Sequence, residues 1–264
     1  MALFATAWLA LNVLLLAHPG VRYLGTFNHD WHAWLKLQPL IEGGRLYDPH
    51  HWFVWSPLAM WTLAYLFVPL GFTTWLTLHL AVVPLVRDWR LFLLAIASVP
   101  LWVDTISGNT FVFVFVAGSA ALLGSRIGIV ASLVLFVMMP RPVALPLIAF
   151  LLWKRPWTRL LMLVLVVVTV LHAGLVGELG GWVGNMLAIG RSNYDHFANL
   201  APTKLVGPWW LLVGIPLAFW LGVRGRVGLA GLAMSPYALP GYLLVLLWEW
   251  LQPAPAAEKP GESS

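Results

Sequence analysis

"VWSPLAMWTLAYLFVPL", residues 54–70, decides how this chain is folded. Read as a full bilayer crossing, it reverses the sidedness of everything after it; read as a surface helix, it does not. Its two prolines and its amphipathic aromatics suit a helix lying at, or dipping into, a membrane interface. Lipid is the main solvent on composition alone: 61% of the 264 residues are hydrophobic and 9% charged, against roughly 25% charged in a soluble domain. The net charge of +5 sits in short clusters between apolar runs, without the continuous basic face of a nucleic-acid binder, so no nucleic-acid partner is expected. Seventeen Trp fit a protein with two long water boundaries. The absence of Cys excludes disulfides and Cys-based metal sites.

Outward from 54–70, apolar runs cover about 2–18, 71–86, 91–103, 110–124, 127–139, 142–153, 157–176, 208–223 and 227–250. Residues 2–18 have no preceding Lys or Arg and read as a retained first span. Several runs are shorter than the roughly 20 residues that cross a full bilayer, so they need local thinning or shelter inside a bundle. "RDWR" (87–90), "SR" (125–126), "KRPWTR" (154–159) and "RGR" (224–226) hold eight of the fifteen basic residues in very short loops. All four are expected on the cytoplasmic side. The run 71–86 then enters from outside, and 54–70 stays on the outer face. The expected fold is an all-α polytopic membrane protein of about nine transmembrane helices plus one external interfacial helix. A hairpin of 54–70 with 71–86 is the alternative, and would place all four basic loops outside. Residues 1–251 form a single transmembrane domain with external loops at 19–70 and 177–207; the Pro/Ala/Glu/Ser-rich tail 252–264 reads as disordered.

On this topology the outer side collects "NHDWHAW" (28–34), "DTISGN" (104–109), the "PRP" pair around Arg141 and the loop 177–207. Asp30 reads equally as a general base in an interfacial pocket or as part of a helix N-cap that satisfies orphan amides. Arg141, caught between two apolar spans, is costly unless paired; its planar fork suits phosphate oxygens, and its bland role is snorkelling at the boundary. Lys204, Arg191 and His196 are further candidates in the late loop. Asp104 and Asn109 cap short spans, and Tyr47 with Asp48 builds the turn before Pro49. His29, His32, His50 and His51 with Asp30 could assemble a divalent-cation site, but no standard motif such as H-E-x-x-H is present. His79, and His172 with Glu178, read as buried hydrogen-bonding or boundary groups.

The order Asp30, aromatic-rich helix, "GRLYDP" (44–49), "FVWSPL" (53–58) resembles the first external loop of GT-C-class glycosyltransferases, in particular the polyprenol-phosphate-mannose-dependent mannosyltransferases of glycosyltransferase family 87. "SGNTF…MMPRPVALP…WKRPW" (107–157), "NYDHFANLAPTKL" (193–205) and "MSPYALPGYLLVLL" (234–247) are similar to later family segments and follow in the right order. The resemblance implies a membrane glycosyltransferase that moves a hexose, mannose first, from a polyprenyl-phosphate-linked sugar donor to a lipid or glycan acceptor. It also implies an inverting, metal-independent reaction with no cofactor, at the extracytoplasmic face of a bacterial or archaeal plasma membrane. Asp30 matches the family's catalytic base. Arg141, with Lys204, would hold the donor phosphate, and His29, His32, Tyr47, Asn109, His196 and Tyr237 would line the donor or acceptor cavity. An already acidic phosphate leaves without a general acid, so one carboxylate and cations suffice. Two departures stand out: the family has Lys where Arg141 stands, and the histidine that some members carry after Ser-Pro is replaced by "YALPGY" (237–242). A lipid transporter or flippase-like protein and a non-catalytic scaffold are the rival readings.

Overall fold

The computed structural model describes residues 2–19, 21, 29–48, 53–192 and 198–251, and among them every regular element is a helix. In chain order these are α1 (Ala2–Ala17), α2 (His29–Trp34), α3 (Leu37–Glu42), α4 (Pro57–Thr62), α5 (Gly71–Val82), α6 (Trp89–Ile96), α7 (Val99–Ser107), α8 (Phe111–Leu122), α9 (Arg126–Met138), α10 (Leu145–Lys154), α11 (Trp157–Leu175), α12 (Leu179–Ser192), α13 (Thr203–Val206), α14 (Leu211–Val223) and α15 (Val227–Met234). A 3-10 helix, Pro240–Trp250, ends the described chain. Many of the starts are readable. Ser56, Ser98 and Ser125 cap α4, α7 and α9 through their side-chain oxygens, and Pro57 and Pro100 sit where a helix lacks partners for its amides anyway.

Among the described residues three helical stretches are long and apolar enough to cross a membrane: Pro57–Val86, Trp157–Leu175 and Thr203–Val223. Helices α6 and α7, bent by 67° at Ala97–Ser98, make a fourth if taken together. Helix α1 braces that bend: Asn12 Oδ1 accepts from the Val99 N–H at 2.6 Å, and Trp8 Nε1 donates to the Leu94 carbonyl at 3.1 Å. The remaining apolar helices have 10–17 residues, in line with the short runs of the sequence.

The bundle has two distinct ends. The four basic clusters fall at helix junctions, each set apart from the other end by the length of one helix or of the bent pair: Arg87–Arg90 from Ser107 by α6 and α7, Arg126 from Thr110 by α8, Lys154–Arg159 from Pro142 by α10, and Arg224–Arg226 from Ser235 by α15. The opposite end holds α2, the end of α7, the start of α8 and residues 139–142. Residues 54–70 contact this second end at both termini: the Ser56 N–H donates to the Met138 carbonyl at 2.8 Å, and the Phe67 ring lies 5.2 Å from that of Trp75, whose Nε1 reaches the Gly108 carbonyl. Between Pro57 and Val86 the helical geometry breaks at Gly71, with φ 82° and ψ 158°, a region open essentially to glycine alone. Pro57–Val86 is nonetheless one membrane-length helical stretch with this break inside it.

Residues 227–250 differ from expectation. They read as one rod, yet the chain breaks at Ser235–Leu239 and folds back, bringing Glu249 to 3.5 Å from Arg226. Pro236 and Pro240 explain the break, since each removes an amide donor and disfavours helix in the preceding residue. The returning 3-10 helix becomes the centre of the bundle: Tyr242, Leu244, Val245, Leu247 and Trp248 are almost fully buried. Packing between lipid-embedded helices gains little from hydrophobicity and depends on close contact at small residues. Gly118 lies directly against the Trp248 ring and Gly228 against the Val245 carbonyl. Helices α11 and α14 instead turn leucines outward, Leu163 at 59% and Leu212 at 69% exposure, as lipid-facing helices do.

Candidate functional site

Asp30 lies in the first turn of α2, one residue inside the helix rather than at its cap. Its Oδ2 accepts from the Ser107 hydroxyl at 3.2 Å, across 77 residues of sequence. Ser107 ends α7, where Gly108 adopts a left-handed φ of 87°. A side chain there would stand 3.2–3.3 Å from Trp31 and Phe72 as well as being strained, so glycine lets α2 dock on the end of α7.

Asp104, one turn earlier in α7, is buried and accepts from the Val112 N–H at 2.8 Å, holding the start of α8. Gly241 packs over it; an added Cβ would come within 2.8 Å of Oδ1. Asp30, Asp104, Ser107, Asn109, Gly241 and Tyr242 converge on one small cleft of about 10 Å³, room for about one water molecule.

Arg141 stands behind this cleft, only 6% exposed. It donates to the Tyr242 hydroxyl, to Asn109 Oδ1 at 3.0 Å and to Thr110 Oγ1 at 3.2 Å. Its guanidinium lies 5.0 Å over the Trp55 ring and 5.3 Å over the Tyr242 ring, distances at which a desolvated cation gains from aromatic faces. Its Nε has no partner among the described residues. The cation is thus fixed by two of the residues that line the cleft with Asp30, within electrostatic reach of Asp104. Asn109 is held in turn: its Oδ1 also accepts from the Thr110 N–H at 2.7 Å, and its carbonyl lies 2.5 Å from His79 Nε2. His79 is fully buried and structural, as its place inside an apolar run suggested.

The other expected residues divide. Tyr237 is buried beside Tyr242, their ring centroids 5.8 Å apart. Lys204 is exposed in α13 and does not line the cleft. Its loop is nevertheless tied to the Ser-Pro segment: Thr203 Oγ1 donates to the Pro236 carbonyl at 2.5 Å, and Asn199 Oδ1 accepts from the Ala238 N–H at 2.9 Å. Tyr47 is a wall element, donating to the Trp55 carbonyl at 2.5 Å and so shaping the residue that stacks on Arg141. Burial, with the nearby Glu178 carboxylate, raises its phenol well above the ordinary range. His32 is exposed on α2, outside the cleft. The side chains of His29 and Arg191, and all of His196, His50 and His51, lie outside the described residues. Among the described residues no group of three acids or histidines could hold a metal ion.

Ser107, Thr110, Trp55 and Tyr242 are site residues that sequence reasoning did not single out. The signal for two of them was present: "DTISGNT" (104–110) is a polar run directly between two apolar segments. Tyr242 sits in the stretch where a histidine was sought.

The fold and this site define an all-α protein with membrane-length apolar helices and a buried carboxylate–guanidinium cluster at one end of its bundle. No family model, curated protein or solved structure matches the chain.

Proposed function

We propose that the chain is an integral membrane glycosyltransferase that transfers a hexose from a polyprenyl-phosphate-linked donor to a lipid or glycan acceptor. One observation carries this reading: Asp30 lines the same cleft as Asn109 and Tyr242, two of the three residues that accept hydrogen bonds from Arg141. A base and a buried cation at one point are what such a displacement needs. Asp30 takes the proton of the acceptor hydroxyl, whose oxygen attacks the anomeric carbon from the face opposite the phosphate. The bond from that carbon to the phosphate oxygen breaks, and Arg141 stabilises the charge gathered on the departing polyprenyl phosphate. Lys204 is a donor-phosphate contact only if its loop closes over the cleft. A cleft of one water's volume does not admit a sugar, so α2 must move outward when substrate enters.

The same reading takes the basic end as cytoplasmic and the cleft as extracytoplasmic. The short apolar helices are crossings sheltered within the bundle, and the fold-back of 227–250 replaces a ninth straight rod. The test is transfer of radiolabelled mannose from polyprenyl phosphate to a lipid acceptor by the purified chain. Asp30→Asn should abolish labelling, with a loss on the order of 100-fold or more, while thermal unfolding stays at the parental midpoint. Undiminished transfer by that variant defeats the assignment.

A further inference from the structure

A second cavity, far larger and apolar, lies between residues 59–67, α5, α8 and α9 and has a volume of about 660 Å³. Its α9 wall extends from Ile127 to Met139, roughly 18 Å at 1.5 Å per residue. That is close to the length of one lipid acyl chain, which fills half of the ~30 Å hydrocarbon core. The two ends of this slot differ in charge. At one end Thr110, Met138 and Met139 close it; Thr110 separates it from Arg141, which does not line it. At the other end stand Ser125 and Arg87, and among the described residues that line the slot Arg87 is the one charged side chain.

Arg87 is also the one non-glycine residue described with positive φ, 61°. A glycine would turn the chain there without cost, yet the turn carries a guanidinium at the mouth of an apolar slot. The adjacent Asp88 carboxylate is turned to cap α6, accepting from the Arg90 and Leu91 N–H groups at 2.9 Å.

We infer that this slot binds one acyl chain of an anionic phospholipid, with the lipid phosphate at Arg87 and the chain end beneath Thr110. The lipid comes from the leaflet at the basic end of the bundle, which the topology proposed above makes cytoplasmic, where anionic headgroups are abundant. The slot's length fits one acyl chain, and its single cation sits where that chain's headgroup would emerge. The site is separate from the Asp30 cleft and does not depend on sugar transfer.

The experiment uses the purified full chain in neutral detergent and reads the thermal unfolding midpoint against added dioleoyl phosphatidylglycerol, dioleoyl phosphatidylcholine or polyprenyl phosphate. Phosphatidylglycerol should raise the midpoint saturably and phosphatidylcholine should not. Arg87→Gly, which relieves the backbone while removing the charge, should weaken the apparent affinity for phosphatidylglycerol about fivefold, the worth of one basic residue beside an anionic lipid; Arg87→Lys should retain most of it. Ala131→Phe, which fills the slot, should abolish the saturable response. Equal stabilisation by the two phospholipids overturns the proposal, as does an Arg87→Gly variant with an undiminished response. A response to polyprenyl phosphate alone, blocked by Ala131→Phe, also overturns it and gives the slot to an isoprenoid chain.

Discussion

The two ends of the bundle use arginine in opposite ways. At the basic end Arg87, Arg90, Arg126, Arg155 and Arg224 are exposed in turns or first helical residues, where a charge costs little and can set orientation. At the other end Arg141 is buried, with Tyr242, Asn109 and Thr110 as acceptors and two aromatic rings beside it. A buried guanidinium survives only where its surroundings replace its hydration. The contrast separates a charge left at a solvated boundary from one enclosed by partners inside the fold.

The contrast is sharpest at Arg141 itself. Arg141→Gln removes the cation facing Asp104 and two or more charge-assisted hydrogen bonds, so unfolding in detergent should show a loss of about 3 kcal/mol. Arg141→Lys keeps the charge but not the fork, and should recover part of that loss. A change below about 1 kcal/mol for the glutamine variant would make Arg141 a boundary charge like the others.

A second, smaller effect tests how tightly the site end is packed. Gly241→Ala places a Cβ 2.8 Å from Asp104 Oδ1 and 3.3 Å from its Cβ. Asp104 is itself fixed by the Val112 amide and has little room to yield. The expected cost is about 1–3 kcal/mol, read by the same unfolding measurement. A neutral result would mean that residues 235–242 do not press on α7 as described.

The sequence showed the two ends unevenly. Basic clusters between apolar runs were sufficient to find one end, because positive charge in a short loop has a single plain meaning in lipid. Asp30, Asn109 and Arg141 were legible as isolated polar residues beside apolar runs, but not their convergence, which depends on α2 docking through Gly108. Tyr242 was invisible for another reason: Leu-rich periodicity around 227–250 fits one long helix as well as a hairpin. Pro236 and Pro240 break it, but in an apolar run prolines fit a kinked membrane helix as well as a fold-back. Trp55 was read as interfacial because tryptophan usually is, and its role beneath a guanidinium needed three dimensions.

The smallest effect belongs to the basic end and bears on that hairpin. Arg226 Nη1 lies 3.5 Å from Glu249 Oε2, with the arginine side chain 31% exposed and the glutamate 6%. Removing one member of a buried pair would be costly, but here water reaches the arginine. Glu249 Oε1 also accepts from the Leu229 N–H at 2.9 Å, in the first turn of α15, where the helix dipole favours an anion. Exposure therefore wins over burial, and Arg226→Gln should cost no more than about 1 kcal/mol. A double-mutant cycle with Glu249→Gln should still return a measurable coupling between the two sites, about 0.5 kcal/mol. Zero coupling would detach residue 249 from residue 226 and reopen the straight-rod reading of 227–250. A cost equal to that of Arg141→Gln would erase the distinction between the two ends.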